Sequence, residues 1–313
     1  AVVAVAEVLA IVPAQSMMIH LGRRITGAVS RTRALSVLAQ DSLNSRAIGF
    51  HRVGCIGIDI PGVVAHEKET AAVVGVIGKA LESGVTLLDI CEPTGTLLPA
   101  EILRQAIIQN QTNQDLVITA HVGIQNGVVD HSKDGLKFQV DALLSTLGMP
   151  KVPMLLLSGS DPQHKFSEAL TTLKDFRDEG MCELIGVSDQ DVSHIKTAIS
   201  HAGIDAVRNR CSVVNREAMT SGVLDLCDSS GIALLAYSPF GPPEHLSKLM
   251  HHPILRQMAE KHDTTPLQVC LSWLLLTPCV IPVSPLSSVR LDGANIELDL
   301  TDLELFEKLQ TDF

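Results

Sequence analysis

From residue 52 to the C-terminus the chain repeats one pattern: a short run rich in Val, Ile and Leu, then a longer stretch whose apolar residues recur at helical spacing. A short continuous apolar run reads as a strand buried on both faces, and a recurrence of about 3.6 residues reads as an amphipathic helix. The pattern predicts eight strands, at Arg52–Ile58, Val85–Cys91, Leu116–Val122, Pro153–Ser158, Glu183–Ser188, Ala206–Arg208, Ile232–Tyr237 and Val280–Val283. Helices are predicted at His66–Glu82, Pro99–Gln109, Ser132–Leu147, Phe166–Glu179, Asp191–Ser200, Ala218–Ser229 and Pro266–Leu276, with Thr301–Leu309 closing the chain. Gly84, Gly180 and Gly231 stand just past helices, where a C-terminal cap takes a left-handed residue. Alternating strands and helices on this scale, in about 250 residues, match an α/β (β/α)8 TIM barrel, with its site on the loops at the C-terminal ends of the strands. A doubly wound sheet is the competing architecture. It needs a Gly-rich phosphate loop, and neither Gly54, Gly57 and Gly62 nor Gly75 and Gly78 has that spacing.

The first part of the chain departs from this pattern, which divides it into an extension at 1–51 and a barrel at 52–313. Ala1–Ala14 is apolar but is interrupted by Glu7 and falls short of the roughly 20 residues of a membrane span. Between Met18 and Arg52 the chain carries Arg23, Arg24, Arg31, Arg33, Arg46 and Arg52 against the single acid Asp41. That balance resembles a mitochondrial transit segment, and a poorly ordered or packed N-terminal extension is the alternative.

Composition narrows the classes further. Of 313 residues, 46% are hydrophobic and 19% charged, enough to build a large core and to exclude global disorder. The formal charge of −11 repels phosphate backbones, so no nucleic-acid partner is expected. Seven cysteines, with no C-x-x-C pair, point to an intracellular, reducing compartment, cytoplasmic or mitochondrial. Although there are 12 histidines, none has the H-x-x-x-H spacing of a helical zinc site, and no metal is expected.

Several segments, in order along the barrel, resemble the aldo-keto reductase family. They are Ala80-Leu-Glu-Ser-Gly-Val-Thr-Leu-Leu-Asp89, Glu179-Gly180 with Ile185-Gly-Val-Ser188, Ala236-Tyr-Ser-Pro-Phe-Gly241, Ala259-Glu-Lys-His262, Thr265-Pro-Leu-Gln-Val269 and Ser272-Trp273. The resemblance implies an NAD(P)H-dependent carbonyl reductase barrel. In that family a Tyr gives a proton to the oxyanion left by hydride delivery, a Lys lowers its pKa, an Asp holds the Lys and a His orients the carbonyl. Carried over by position, Asp89 is kept, while Thr94 stands at the Tyr, His121 at the Lys and Ser158 at the His. A threonine hydroxyl is too weak an acid for the role. His121, expected beside Asp89 at the ends of neighbouring strands, could itself hold and donate a proton. Cys91 follows Asp89 by two residues and so shares its strand face.

The cofactor positions implied by the resemblance are also altered. Ser188 is kept, Asp189 replaces an Asn, Arg208 stands at a Gln that meets the nicotinamide amide, and Cys211 stands at the Tyr that stacks on the ring. Ser238 and Phe240 fall in the turn along the pyrophosphate, and Ser284 and Arg290 in the segment near the adenosine phosphate. Loss of the flat partner implies that NADP(H) is held weakly or not at all. Two functions remain in view. One is a non-catalytic binding, structural or regulatory subunit that meets another protein chain, and the alternative is a carbonyl (aldehyde/ketone) oxidoreductase using Asp89 and His121.

Overall fold

Eight parallel strands hydrogen-bond into a closed barrel in the computed structural model, which describes residues 45–60, 67–90, 97–111, 115–286 and 296–309. Residues 1–44, Cys91, Thr94 and Arg290 lie outside the described residues. A two-stranded hairpin, β1 (Ser45–Ile48) and β2 (His51–Gly54), precedes the barrel and straddles residue 51. The barrel strands are β3 (Gly57–Asp59), β4 (Leu87–Ile90), β5 (Val117–Val122), β8 (Val152–Leu157), β9 (Cys182–Ser188), β10 (Ala206–Arg210), β11 (Ala233–Tyr237) and β12 (Val280–Pro285), in that order around the ring. A small antiparallel hairpin, β6 (Ile124–Gln125) with β7 (Val128–Val129), leaves the end of β5.

The helices are α1 (Glu67–Glu82), α2 (Leu98–Asn110), α3 (Lys133–Leu147), α4 (Phe166–Asp178), α5 (Val192–Ala202), α6 (Glu217–Thr220), α7 (Val223–Ser230), α8 (Pro243–His251), α9 (Pro253–Lys261), α10 (Pro266–Leu274) and α11 (Leu300–Leu309). Local chemistry sets several of their ends. Ser132 accepts from the Gly135 N–H and Asp191 from the His194 N–H at the starts of α3 and α5, and Thr265 with Gln268 forms a capping box at α10. Gly84, Gly180 and Gly231 take φ of 89°, 78° and 68°, as the cap reading required.

Strand alternation sorts the barrel residues into two cores. Outward-facing residues such as Ile58, Leu88, Ile118, Leu155 and Ile185 pack under the helices. The inward set, Leu87, Val117, Met154, Leu156, Leu184, Ala206, Ala233, Leu235, Ile281 and Val283, forms a separate cluster that includes Ile48 and Val53 of the N-terminal hairpin. The hairpin therefore plugs the end of the barrel where the strands begin. Arg46 donates to the Leu275 carbonyl at 2.9 Å, and His51 pairs with Glu183 at 2.7 Å, fastening the plug at its rim. Space inside is tight: Leu156, Gly186, Ala206 and Ala233 share one register row, and a Cβ on Gly186 would stand 2.4 Å from the Ala206 carbonyl oxygen.

Four sequence expectations change. Arg52–Gly54 belongs to the plug, and the barrel strand is Gly57–Asp59, because only the latter reaches β4 and β12 in register. The predicted helix Ala218–Ser229 is two helices, broken at Gly222, whose φ is 87°. Helices α8 and α9 form where none was assigned, each with a proline in its first turn, where the missing N–H is not needed. The β6–β7 hairpin was too short to show a period. We expect Ile48→Ala to lower stability by about 2–5 kcal/mol, the range for a fully buried large-to-small change, as measured by denaturant unfolding.

Candidate active site

A cavity of about 820 Å³ opens at the ends of the strands opposite the plug. Behind its lining residues His121 and Arg208 stands Asp89, the last inward residue of β4, which is fully buried. Three groups meet this carboxylate. Thr119, its register partner on β5, donates to Oδ1 at 2.5 Å; His121 Nε2 lies 3.2 Å from the same oxygen; and Arg208 Nε donates to Oδ2 at 2.7 Å. On the far side of its ring, His121 Nδ1 lies 2.7 Å from the Ser158 hydroxyl. The expected Asp89–His121 contact is thus present, and Ser158 extends it.

Arg208 is where position and role part company. The resemblance put it against a nicotinamide amide, yet the side chain reaches across the barrel, since β10 and β4 stand on opposite sides of the ring. A long guanidinium side chain can span that interior and form a charge-assisted bond to a buried carboxylate that would otherwise be strongly destabilising. The guanidinium carbon also sits 4.0 Å from the centroid of the Tyr237 ring. Tyr237, the single tyrosine, ends β11 with its inward phase shared by Ala233 and Leu235; its hydroxyl donates to Asp189 Oδ1 at 2.6 Å and accepts from Arg210 Nε at 3.1 Å.

These surroundings set the protonation states. Burial alone would raise the Asp89 carboxyl, but the Arg208 charge and the bonds from His121 and Thr119 outweigh it and hold the group well below the ordinary carboxylate range. Burial lowers His121, and the opposing pull of Asp89 does not restore it, so the imidazole is neutral at pH 7. Burial and the bond to Asp189 push the Tyr237 phenol up to about 12.

Of the other expected site residues, Ser188, Asp189 and Ser238 line the cavity with Arg208. Asp189 and Ser238 hold φ of 55° and 51°, left-handed conformations that cost non-glycine residues energy and cluster at working sites. Phe240 does not line it; the ring is buried between strands and helices, and its turn is a packing element here. Cys211 is likewise in the outer core, its thiol pushed up to about 12 by burial, and the aromatic face at the cavity is that of Tyr237. Ser284 alternates with the inward Val283 and is fully buried, its hydroxyl without a partner among the described residues, so it does not reach the cavity. Tyr237 was legible only as part of a motif. Its strand phase was the signal that could have placed it inside.

At the rim, Asp130, Asp161 and His164 bring ligand-type atoms within 4.8 Å of one another. Asp161 already accepts from the His131 and Gln163 N–H groups at 2.9 and 2.7 Å and pairs with His164 at 2.8 Å, bonds that hold its carboxyl below the ordinary range. The cluster braces the loop after β8.

Barrel, plug and mouth together define a (β/α)8 protein with its cavity at the C-terminal ends of the strands. Residues 62–296 match the model of the aldo/keto reductase family, and the chain belongs to that family. It is 24% identical over 297 residues to an uncharacterized oxidoreductase of Schizosaccharomyces pombe, covering 91% of this chain and 92% of that one. It is 25% identical over 260 residues to pyridoxine 4-dehydrogenase of Escherichia coli, covering 79% and 88%. In fold it is similar to an aldo-keto reductase from Klebsiella pneumoniae solved in complex with NADPH, with a TM-score of 0.74 at 19% identity, covering 85% of this chain and 95% of that one.

Arg208→Met should destabilise the protein by about 3–5 kcal/mol, because it leaves Asp89 charged and buried, and the double variant Arg208→Met/Asp89→Asn should recover part of the loss. Both Asp89 and His121 titrate below their unfolded values. The unfolded chain therefore takes up protons first, and stability falls with pH, from about 6.5 downward for His121 and from about 3.9 downward for Asp89. His121→Gln should flatten the upper part of that decline in urea titrations across pH.

Proposed function

We propose that this aldo-keto reductase family member keeps its barrel-mouth cavity for binding and does not perform ordinary NAD(P)H-dependent carbonyl reduction. The observation that carries the reading is the 2.7 Å bond from Arg208 to Asp89, which replaces an acid-activating partner with a permanent cation. None of the groups bonded to Asp89 or stacked on Arg208 is then suited to give a proton at neutral pH. His121 is neutral, Tyr237 is a poorer acid than free tyrosine and directs its proton to Asp189, and a guanidinium does not deprotonate.

The nicotinamide end of a dinucleotide fits these residues poorly. The Arg208 guanidinium lies against the Tyr237 ring, and Asp189 turns a carboxylate toward the same ring's hydroxyl. Ser188 and Ser238 remain as polar contacts, which supports weak nucleotide binding. A barrel kept without its acid works by what it holds, and the reading extends to a binding or regulatory subunit that meets another protein chain through the part of the extension that precedes the plug or through the helices around it. The carbonyl oxidoreductase reading rests on the Asp89–His121 contact at 3.2 Å, and it requires the protonated imidazole.

Purified protein should show no appreciable NADPH oxidation with a panel of aldehydes and ketones, and turnover of about 1 per second or more would overturn the proposal. Weak reduction that grows as pH falls would favour the His121 acid. NADPH titration by calorimetry should give a Kd above about 1 μM, less favourable than about −8.2 kcal/mol. Thr94→Tyr, His121→Lys, Ser158→His and Arg208→Gln together are the informative gain-of-function set, because groups that act as a unit do not add.

A further inference from the structure

Ser158, His121 and Asp89 are joined in series through the two nitrogens of one imidazole. The ionised Asp89 carboxylate can only accept, so the His121 nitrogen 3.2 Å away, Nε2, carries the hydrogen. With the ring neutral, Nδ1 keeps its lone pair, and the hydroxyl 2.7 Å from it donates. The orientation is that of a serine about to lose its proton to a base that a carboxylate holds in one tautomer. Asp89 is itself fixed by Thr119 and Arg208, and Ser158 stands at the cavity wall immediately past β8, where Gly159 turns the chain at a φ of 82°.

From this geometry we infer that Ser158 is a nucleophile with His121 as its general base and Asp89 as a positioning residue, and that the site transfers the acyl group of a small carboxylic ester to water. Ser158 Oγ attacks the ester carbonyl carbon as its proton passes to His121 Nδ1. The tetrahedral adduct collapses, the C–O bond to the alcohol breaks, and His121 returns the proton to the departing oxygen. Water then adds to the acyl-serine by the same proton route, releasing the carboxylic acid and restoring the hydroxyl. No electrons leave the substrate, so the reaction needs no nicotinamide. Four carboxylates line the cavity, at Asp59, Asp161, Asp189 and Asp191, against two guanidinium groups, which disfavours anionic substrates and selects neutral or cationic esters. Arg208 shares Asp89 and so weakens its support for a His121 cation, which restricts the site to esters with good leaving groups rather than amides.

The inference uses the same cavity as the proposed function but not its conclusion. It is tested on the full-length chain without nucleotide, while NADPH oxidation tests the other. A fluorophosphonate probe followed by peptide mass spectrometry should place the adduct on Ser158, with no label there in Ser158→Ala. His121→Gln, checked for folding by its circular-dichroism melt, should label about 10² times more slowly or less readily still. Hydrolysis of p-nitrophenyl acetate by the unaltered protein should hold a plateau through neutral pH and decline only below about 6.5, because His121, faced by Asp89, Arg208 and Asp189, must be neutral to act. Cys91→Ser, which removes the thiol two residues after Asp89 in the sequence, should label as the unaltered protein does. Absence of a Ser158 adduct on folded protein, or labelling of Ser158 at an unchanged rate in His121→Gln, overturns the inference.

Discussion

Closing a parallel sheet on itself creates an interior that opposite walls must fill together, and every inward side chain here answers to that constraint. At one end the requirement is met with apolar volume: Ile48 and Val53 of the hairpin complete a cluster that the strands alone would leave open. In the middle, the small residues Gly186, Ala206 and Ala233 accommodate Leu156 in a shared row. At the other end the wall carries a charge, Asp89, and a buried carboxylate is tolerated only with a partner of opposite sign and further hydrogen bonds. Arg208 supplies the first from the opposite strand, and Thr119 and His121 supply the second.

That one buried pair decides the chemistry of the mouth. Burial lowers the His121 imidazole, and Arg208, a cation that cannot lose its proton, adds to that lowering against the pull of Asp89, so the ring stays neutral. A neutral imidazole is a poor acid at pH 7 but a usable base. The same arrangement that argues against proton delivery to a reduced carbonyl therefore orients the Ser158 hydroxyl toward a lone pair. Tyr237, pinned between Arg208 on its face and Asp189 and Arg210 at its hydroxyl, closes the wall on the other side. The left-handed backbone of Asp189 and Ser238 shows that this wall is held by its neighbours rather than by local preference.

Membership of the aldo/keto reductase family and the reading of the site answer different questions. The family match and the shared fold follow from the repeated strand–helix units and their caps, which many sequences satisfy. Chemistry depends on which side chains stand at the strand ends and on what they pair with. Here Asp89 stands at the end of β4, and its partner Arg208 comes from β10 on the opposite side of the ring.

Much of the fold was legible in the residues themselves. Continuous apolar runs marked the strands because a parallel sheet is covered on both faces, and Gly84, Gly180 and Gly231 marked helix ends because only a left-handed cap explains them there. Strand phase also made Asp89 and His121 neighbours. What it left open were contacts between segments far apart in sequence. The plug formed by Ile48 and Val53, the 119-residue separation bridged by Arg208 and Asp89, and the stack of Arg208 on Tyr237 depend on where eight strands meet when the sheet closes. Helices α8 and α9 were hidden for a local reason, since a proline in the first turn and a proline in a loop look alike until the chain is folded. The residue types at the mouth were determined by the sequence; which of them share a proton was decided by the barrel, because distance and burial, not identity, set the pKa of each.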